Sequence, residues 1–118
     1  MASRKVHCGD CIKKLGRPFN EVHAWLDGLV PKYGIPRHRI FRHNMEGIEQ
    51  IKEMWGDTAA EAARIHILRD FNLPDIPGEP YRDIPKDRWQ ASLLLAVWLQ
   101  EMEMRRANPL YEGKEVEE

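Results

Sequence analysis

Histidines and aspartates in this 118-residue sequence are spaced as a metal site between helices would require. Residues four apart lie on one face of a helix, and the sequence twice places an aspartate four residues after a histidine. These pairs are His23 with Asp27 and His66 with Asp70. In each pair the imidazole can bind an ion, while the carboxylate either binds the same ion or fixes the imidazole tautomer.

Two further histidines, His38 and His43, extend this candidate site. A gap of five residues separates them by about 140° on a regular helix, so both reach one ion only if the backbone after Pro36 is irregular. Nitrogen and oxygen donors suit zinc, iron, nickel or manganese, and we expect a divalent ion with zinc favoured. The alternative keeps the histidines as hydrogen-bonded residues at the edge of the core. The predicted ligands are His23, Asp27, His38, His43, His66 and Asp70.

A Cys-x-x-Cys pair, Cys8 and Cys11, directly follows His7 and predicts a second, partial zinc site. Two thiolates supply half of a zinc coordination sphere, which His7 or another histidine would complete. The alternative is a pair of free thiols, as is usual in the cytosol.

The chain resembles a family of small uncharacterised bacterial and phage proteins that is defined only as a domain of unknown function. This resemblance implies that the histidines act as a set, and it implies no reaction. The sequence departs from the family pattern after Asp70, where Asn72 stands near the expected glycine. The resemblance rests on His7, the region of Gly16, His23-Ala24-Trp25-Leu26-Asp27, Arg37-His38-Arg39-Ile40-Phe41-Arg42-His43, Gly47-Ile48, His66, Asp70, Pro74 and Tyr81.

A basic segment between Pro31 and Asn44 contains no acidic residue and carries aromatic side chains at Tyr33 and Phe41. Arginine forks suit phosphate oxygens, and aromatic rings can stack on bases. The segment therefore predicts a surface for phosphate or nucleic acid, although the same residues could form an ordinary solvated face. The predicted phosphate-binding residues are Lys32, Arg37, Arg39 and Arg42.

The spacing of apolar residues and the positions of prolines predict the helices that must position these side chains. Apolar residues recur at helical spacing, strand-like alternation is nearly absent, and prolines interrupt the pattern. We predict an all-α, compact bundle of four helices at approximately residues 18–30, 36–55, 58–71 and 85–106, with a Pro-rich loop at 72–83. The last helix is apolar on all sides, so it is either central or part of a homodimer interface.

Composition indicates a globular protein, with 42% hydrophobic and 31% charged residues. Residues 1–110 are expected to form one domain, followed by an acidic flexible tail at 111–118. The amino terminus shows no secretory pattern, and the longest apolar run is shorter than the roughly 20 residues that span a bilayer. We therefore expect a cytoplasmic protein that does not enter the membrane.

Two functional hypotheses follow. The first is a metal-binding helical protein that extends to a metal-dependent hydrolase, in which the ion activates water and Asp27 or Asp70 acts as base. The second is a non-enzymatic interaction or regulatory module that binds nucleic acid or phosphate through the basic segment, residues 32–43.

Overall fold

Residues 3–107 are described by a computed structural model, and within this range the chain is helical without strands. The predicted all-α class is therefore confirmed. The predicted count of four helices is not, because the described residues form seven helical segments, two of them only four residues long. They are α1 (Arg4–Leu15), α2 (Asn20–Leu26), α3 (Val30–Tyr33), α4 (Arg39–Arg42), α5 (Met45–Trp55), α6 (Asp57–Phe71) and α7 (Arg88–Ala107).

Helix α6 is the centre of the fold, and α1, α2 and α5 pack against it. Its alanines, including Ala62 and Ala63, are fully buried and let the neighbouring helices approach closely. The apolar face of α5 meets it through Ile48 and Ile51. Because α6 is buried on most of its circumference, the polar side chains that it carries lie inside the protein.

Two predicted helices are each divided by a break. The predicted helix 18–30 ends at Leu26, and Pro31 lies in the first turn of α3 instead of ending a helix, because proline lacks only an N–H that the first turn leaves unpaired. The predicted helix 36–55 breaks after Arg42, where the side chain of Asn44 caps α5 by accepting a hydrogen bond from Gly47 N at 3.0 Å. Phe41 and Met45 lie on the two sides of this break, so their apolar spacing does not reveal it.

Helix α1 was not predicted, because only His7 and Cys11 on it are buried and it has no apolar stripe. The sequence features that mark α1 are the capping residues at its two ends. Ser3 caps the first turn by accepting a hydrogen bond from Val6 N at 3.3 Å, and Gly16 ends the helix at φ +86°.

Helix α7 begins three residues later than predicted and is not buried on all sides. Only Ala91 and Leu95 are buried in it, while Trp89, Leu93 and Val97 are at least half exposed. No helix within residues 3–107 is both long and apolar enough to cross a membrane. The predicted tail, 111–118, lies outside the described residues.

Candidate metal centre

All five histidine side chains of the protein are buried, and their rings lie next to one another, with centroids of neighbouring rings 3.6 to 5.5 Å apart. His7 comes from α1, His23 from α2 and His66 from α6. The two others flank α4, with His38 directly before it and His43 directly after it. The backbone leaves the helical conformation at His43, with φ −86° and ψ 61°, and the ring centroids of His38 and His43 lie 5.2 Å apart. The angular separation expected on a regular helix therefore does not keep them apart.

Four donors that could share one ion lie close together, namely Asp27, His38, His43 and Asp70. We define the central site as these four residues together with His66, whose Nε2 lies beside both carboxylates. Nε2 of His38 lies 3.2 Å from Asp27 Oδ1, and Nε2 of His43 lies 2.9 Å from Asp70 Oδ2. Nε2 of His66 lies 3.2 Å from Asp70 Oδ2 and 3.4 Å from Asp27 Oδ1. Metal bonds of about 2.1 Å place adjacent ligands about 3.0 to 3.4 Å apart. The distances in the central site fit that spacing, and they fit direct hydrogen bonds from His38 to Asp27 and from His43 to Asp70 equally well.

The tautomer of His38 is fixed by a backbone carbonyl. Its Nδ1 lies 3.2 Å from the oxygen of Gly34, which can only accept a hydrogen bond, so Nδ1 carries the proton. In a neutral His38 the lone pair of Nε2 then faces the carboxylate of Asp27. Two acceptors 3.2 Å apart are stabilised only by a positive charge between them, which a metal ion or a second proton supplies.

A chain of two imidazoles fixes the tautomer of His66 in the same way. Nε2 of His23 donates to the oxygen of Pro18 at 2.8 Å, which leaves its Nδ1 as an acceptor for Nδ1–H of His66 at 2.9 Å. The lone pair of His66 Nε2 is therefore directed towards Asp27 and Asp70. The structure thus places His23 behind His66, with both of its own nitrogens occupied.

The electrostatics of the centre are those of two ionised carboxylates among imidazoles. Burial raises the pKa of Asp27 and of Asp70, but hydrogen bonds from the surrounding histidines lower both pKa values well below their usual range. Burial lowers the pKa of His43 to about 4, so its imidazole is neutral. Burial lowers the pKa of His66, but the hydrogen bonds and charges of Asp27 and Asp70 outweigh this effect, so the net shift is upward. Without an ion, a proton on His66 supplies the positive charge.

His7 lies next to the central site and is buried with it. Its Nε2 is 3.0 Å from Asp70 Oδ1, but neither atom makes a hydrogen bond, and its ring stacks on that of His66 at 3.6 Å. His7, His66 and Asp70 form a second cluster of donors. Because the two rings are nearly parallel, at 14°, their lone pairs do not converge well on one point.

The predicted cysteine site is not assembled as a donor cluster within residues 3–107. Cys8 Sγ donates to Asn20 Oδ1 at 3.2 Å, and His7 contacts Asp70 instead. Burial raises the pKa of Cys11 to about 11, which keeps it a thiol and a poor ligand.

The basic segment does not present its four cations on one face. Lys32 and Arg37 are exposed. Arg42 donates to the oxygen of Trp25 at 2.7 Å and stacks on its ring. Arg39 is fully buried and donates to the backbone oxygen of Asp70 at 2.9 Å. Arg39 is therefore not part of a solvated face, because the predicted helix 36–55 breaks after α4.

Comparison with known proteins gives one match. No curated protein and no solved structure matches the chain. A family model described as a domain of unknown function (DUF6915) matches residues 2–73, a segment that contains every residue of the central site. Since this match covers more than half of the sequence, the chain belongs to the DUF6915 family.

Proposed function

We propose that the protein is a metalloprotein that binds one divalent ion in the central site. The observation that carries this proposal is the arrangement of lone pairs. Nε2 of His38 and Nε2 of His66 both face ionised carboxylates at 3.2 to 3.4 Å, and an ion that displaces the proton of His66 would be met by a lone pair from each ring. Histidine ligands in metal sites typically donate their second N–H to a carbonyl or a similar acceptor, as His38 does to Gly34.

A bare ion fits this site better than a water molecule does. Nε2 of His66 is completely buried and lies 3.2 Å from Asp70 Oδ2 and 3.4 Å from Asp27 Oδ1. A water hydrogen-bonded at about 2.8 Å would hold its partners roughly 4.5 Å apart, whereas the donors here approach to between 2.9 and 3.4 Å. The spacing therefore leaves no room for a bridging water, and it fits an ion bonded directly to nitrogen and oxygen as well as the direct hydrogen bonds of the ion-free site.

The donor set narrows the choice of ion. Three imidazoles and two carboxylates, without sulfur, suit zinc and equally accept iron, manganese or nickel. Zinc is the ion that we propose first. His23 acts in this proposal through His66, by holding its tautomer, and is not itself a ligand.

A second candidate function is metal-dependent hydrolysis. It is favoured by Asp27, whose side chain is 15% exposed while the imidazoles and Asp70 are completely buried. A water reaching the ion beside Asp27 would be acidified by the metal to a pKa of about 7. Asp27 or Asp70 would then accept its proton.

The proposal is tested by loading untagged, chelator-stripped protein with zinc, iron(II), manganese or nickel and measuring bound metal by mass spectrometry. Wild-type protein should bind one equivalent of its preferred ion, and His38→Gln and His66→Gln should bind little. Asp75→Asn is the matched control, because Asp75 pairs with Arg64 and Lys14 outside the centre. Equal metal content in wild type and both histidine variants would refute the assignment.

The interaction-module alternative is tested separately. Binding of single-stranded and duplex nucleic acid is measured against salt concentration, because phosphate contacts weaken steeply as salt rises. Only Lys32 and Arg37 of the basic segment are free to form such a surface. Salt-dependent binding that Lys32→Ala and Arg37→Ala abolish, in a protein that binds no metal, would favour this alternative.

A further inference from the structure

Arg39 is a buried cation whose hydrogen-bonding capacity is only partly used. Its side chain is completely buried, and Nη1 donates to the backbone oxygen of Asp70 at 2.9 Å. Nε and Nη2 make no hydrogen bond. The guanidinium lies over the ring of Trp98, 4.6 Å from its centroid. Leaving buried donors of a charged group without a hydrogen bond is costly, and Asp70 Oδ2, the ion-pair partner of Nε, lies at 4.0 Å, beyond hydrogen-bond distance.

The unpaired edge lies next to the central site. Nε of Arg39 is 4.0 Å from Asp70 Oδ2, the oxygen that also contacts His43 and His66. Nε and Nη2 are two parallel donors of the guanidinium, a geometry that binds two oxygens of one oxyanion. A group bound there would reach an ion in the central site with a further oxygen.

Charge balance also requires an anion. Asp27 and Asp70 contribute two negative charges, and Arg39 with a divalent ion contributes three positive charges. The loaded centre therefore carries one net positive charge in a buried environment, where uncompensated charge is unfavourable. One anionic ligand would neutralise it.

We propose that the metal-loaded centre binds a phosphate group, with one oxygen on the ion and two on the Nε and Nη2 edge of Arg39. This inference rests on the proposed metal site and names its ligand class. Three oxygens are needed, which a tetrahedral phosphate has and a carboxylate lacks. Among Arg39 and the residues of the central site, only Asp27 reaches the surface. So small an opening admits only inorganic phosphate or the terminal phosphoryl group of a larger molecule.

The test uses full-length protein loaded with cobalt(II), whose visible absorption reports changes at the ion. Inorganic phosphate, a phosphomonoester and acetate are titrated in separate arms. Phosphate should shift the spectrum, and acetate should bind at least about tenfold more weakly. Arg39→Lys keeps the charge but loses the paired donors, so phosphate affinity should fall at least about tenfold. Arg42→Lys is the matched control, and its phosphate affinity should equal that of wild type.

Saturation by inorganic phosphate alone would identify the free ion as the ligand, and binding of the ester would identify a terminal phosphoryl group. Equal affinity of wild type and Arg39→Lys would overturn the proposal. If circular dichroism shows that Arg39→Lys does not fold, the titrations of wild type with phosphate and acetate test the proposal alone. Equal affinity of wild type for phosphate and acetate would also overturn the proposal. Full cobalt loading without a response to phosphate refutes this inference alone, whereas absence of cobalt refutes the metal site as well.

Discussion

The substitution Asp27→Asn should remove most of the stabilisation that metal gives to the fold. Asp27 Oδ1 lies 3.2, 3.4 and 3.8 Å from Nε2 of His38, His66 and His43, and asparagine keeps its shape without its charge. Hydrogen-bond partners of metal ligands are each worth about 10- to 100-fold in affinity. Because Asp27 is proposed as a ligand itself, we expect a loss of at least about 100-fold.

This loss translates into a melting temperature. At a metal concentration about 100 times the wild-type Kd, binding stabilises the native state by about 2.7 kcal/mol. For a chain of this size that is roughly 10 °C, at about 4 °C per kcal/mol. At the same concentration the variant is only half saturated and gains about 0.4 kcal/mol, which is roughly 1 to 2 °C.

The assay is thermal unfolding followed by circular dichroism, with and without metal, for wild type, Asp27→Asn and Asp75→Asn. Asp75→Asn should show the full metal-induced shift even if its metal-free protein melts lower, because it loses only ion pairs with Arg64 and Lys14. An unchanged shift in Asp27→Asn would show that Asp27 is not a ligand.

Four further predictions use other parts of the molecule. His23→Gln should weaken metal binding by about 10- to 100-fold, whereas His66→Gln should abolish it; equal losses in a metal titration would contradict the positioning role of His23. Gly47→Ala should destabilise the protein by about 1 to 3 kcal/mol or more in urea unfolding, because its Cβ would lie 1.9 Å from a backbone oxygen at the end of α4; an unchanged midpoint would refute this. The hydrogen bond from Arg69 lowers the pKa of Asp10. At neutral pH wild type should therefore be more stable than Asp10→Asn, and it should lose that advantage as the pH falls through the lowered pKa of Asp10. If the exposed face of α7 forms the predicted homodimer, Leu93→Asp should yield a monomer in sedimentation, and a monomeric wild type would exclude the dimer.

Local sequence signals were sufficient for the helical class and for part of the site. The stripe of α5 and the alanine-rich α6 follow directly from helical periodicity. The spacing between His66 and Asp70 predicts that both lie on one face, and the structure places their side chains 3.2 Å apart. These features depend on residues within one or two helical turns, which is the range that periodicity describes.

Other features depend on contacts that spacing does not encode. His23 could not be distinguished from a ligand, because its role depends on a hydrogen bond to the oxygen of Pro18 and on a second to His66. Arg39 is buried because α4 ends at Arg42 and a separate helix, α5, begins after its N-cap Asn44. His7 joins the centre through a contact with Asp70, 63 positions further along the chain.

The most direct test of the metal site is an anomalous difference map from crystals of metal-loaded protein. A single peak is expected at bonding distance, about 2.1 Å, from Nε2 of His38, His43 and His66 and from oxygens of Asp27 and Asp70. No peak at these residues, or a peak at Cys8 and Cys11 instead, would contradict it. A second peak between His7 and Asp70 would retain the site but contradict the assignment of one ion per chain.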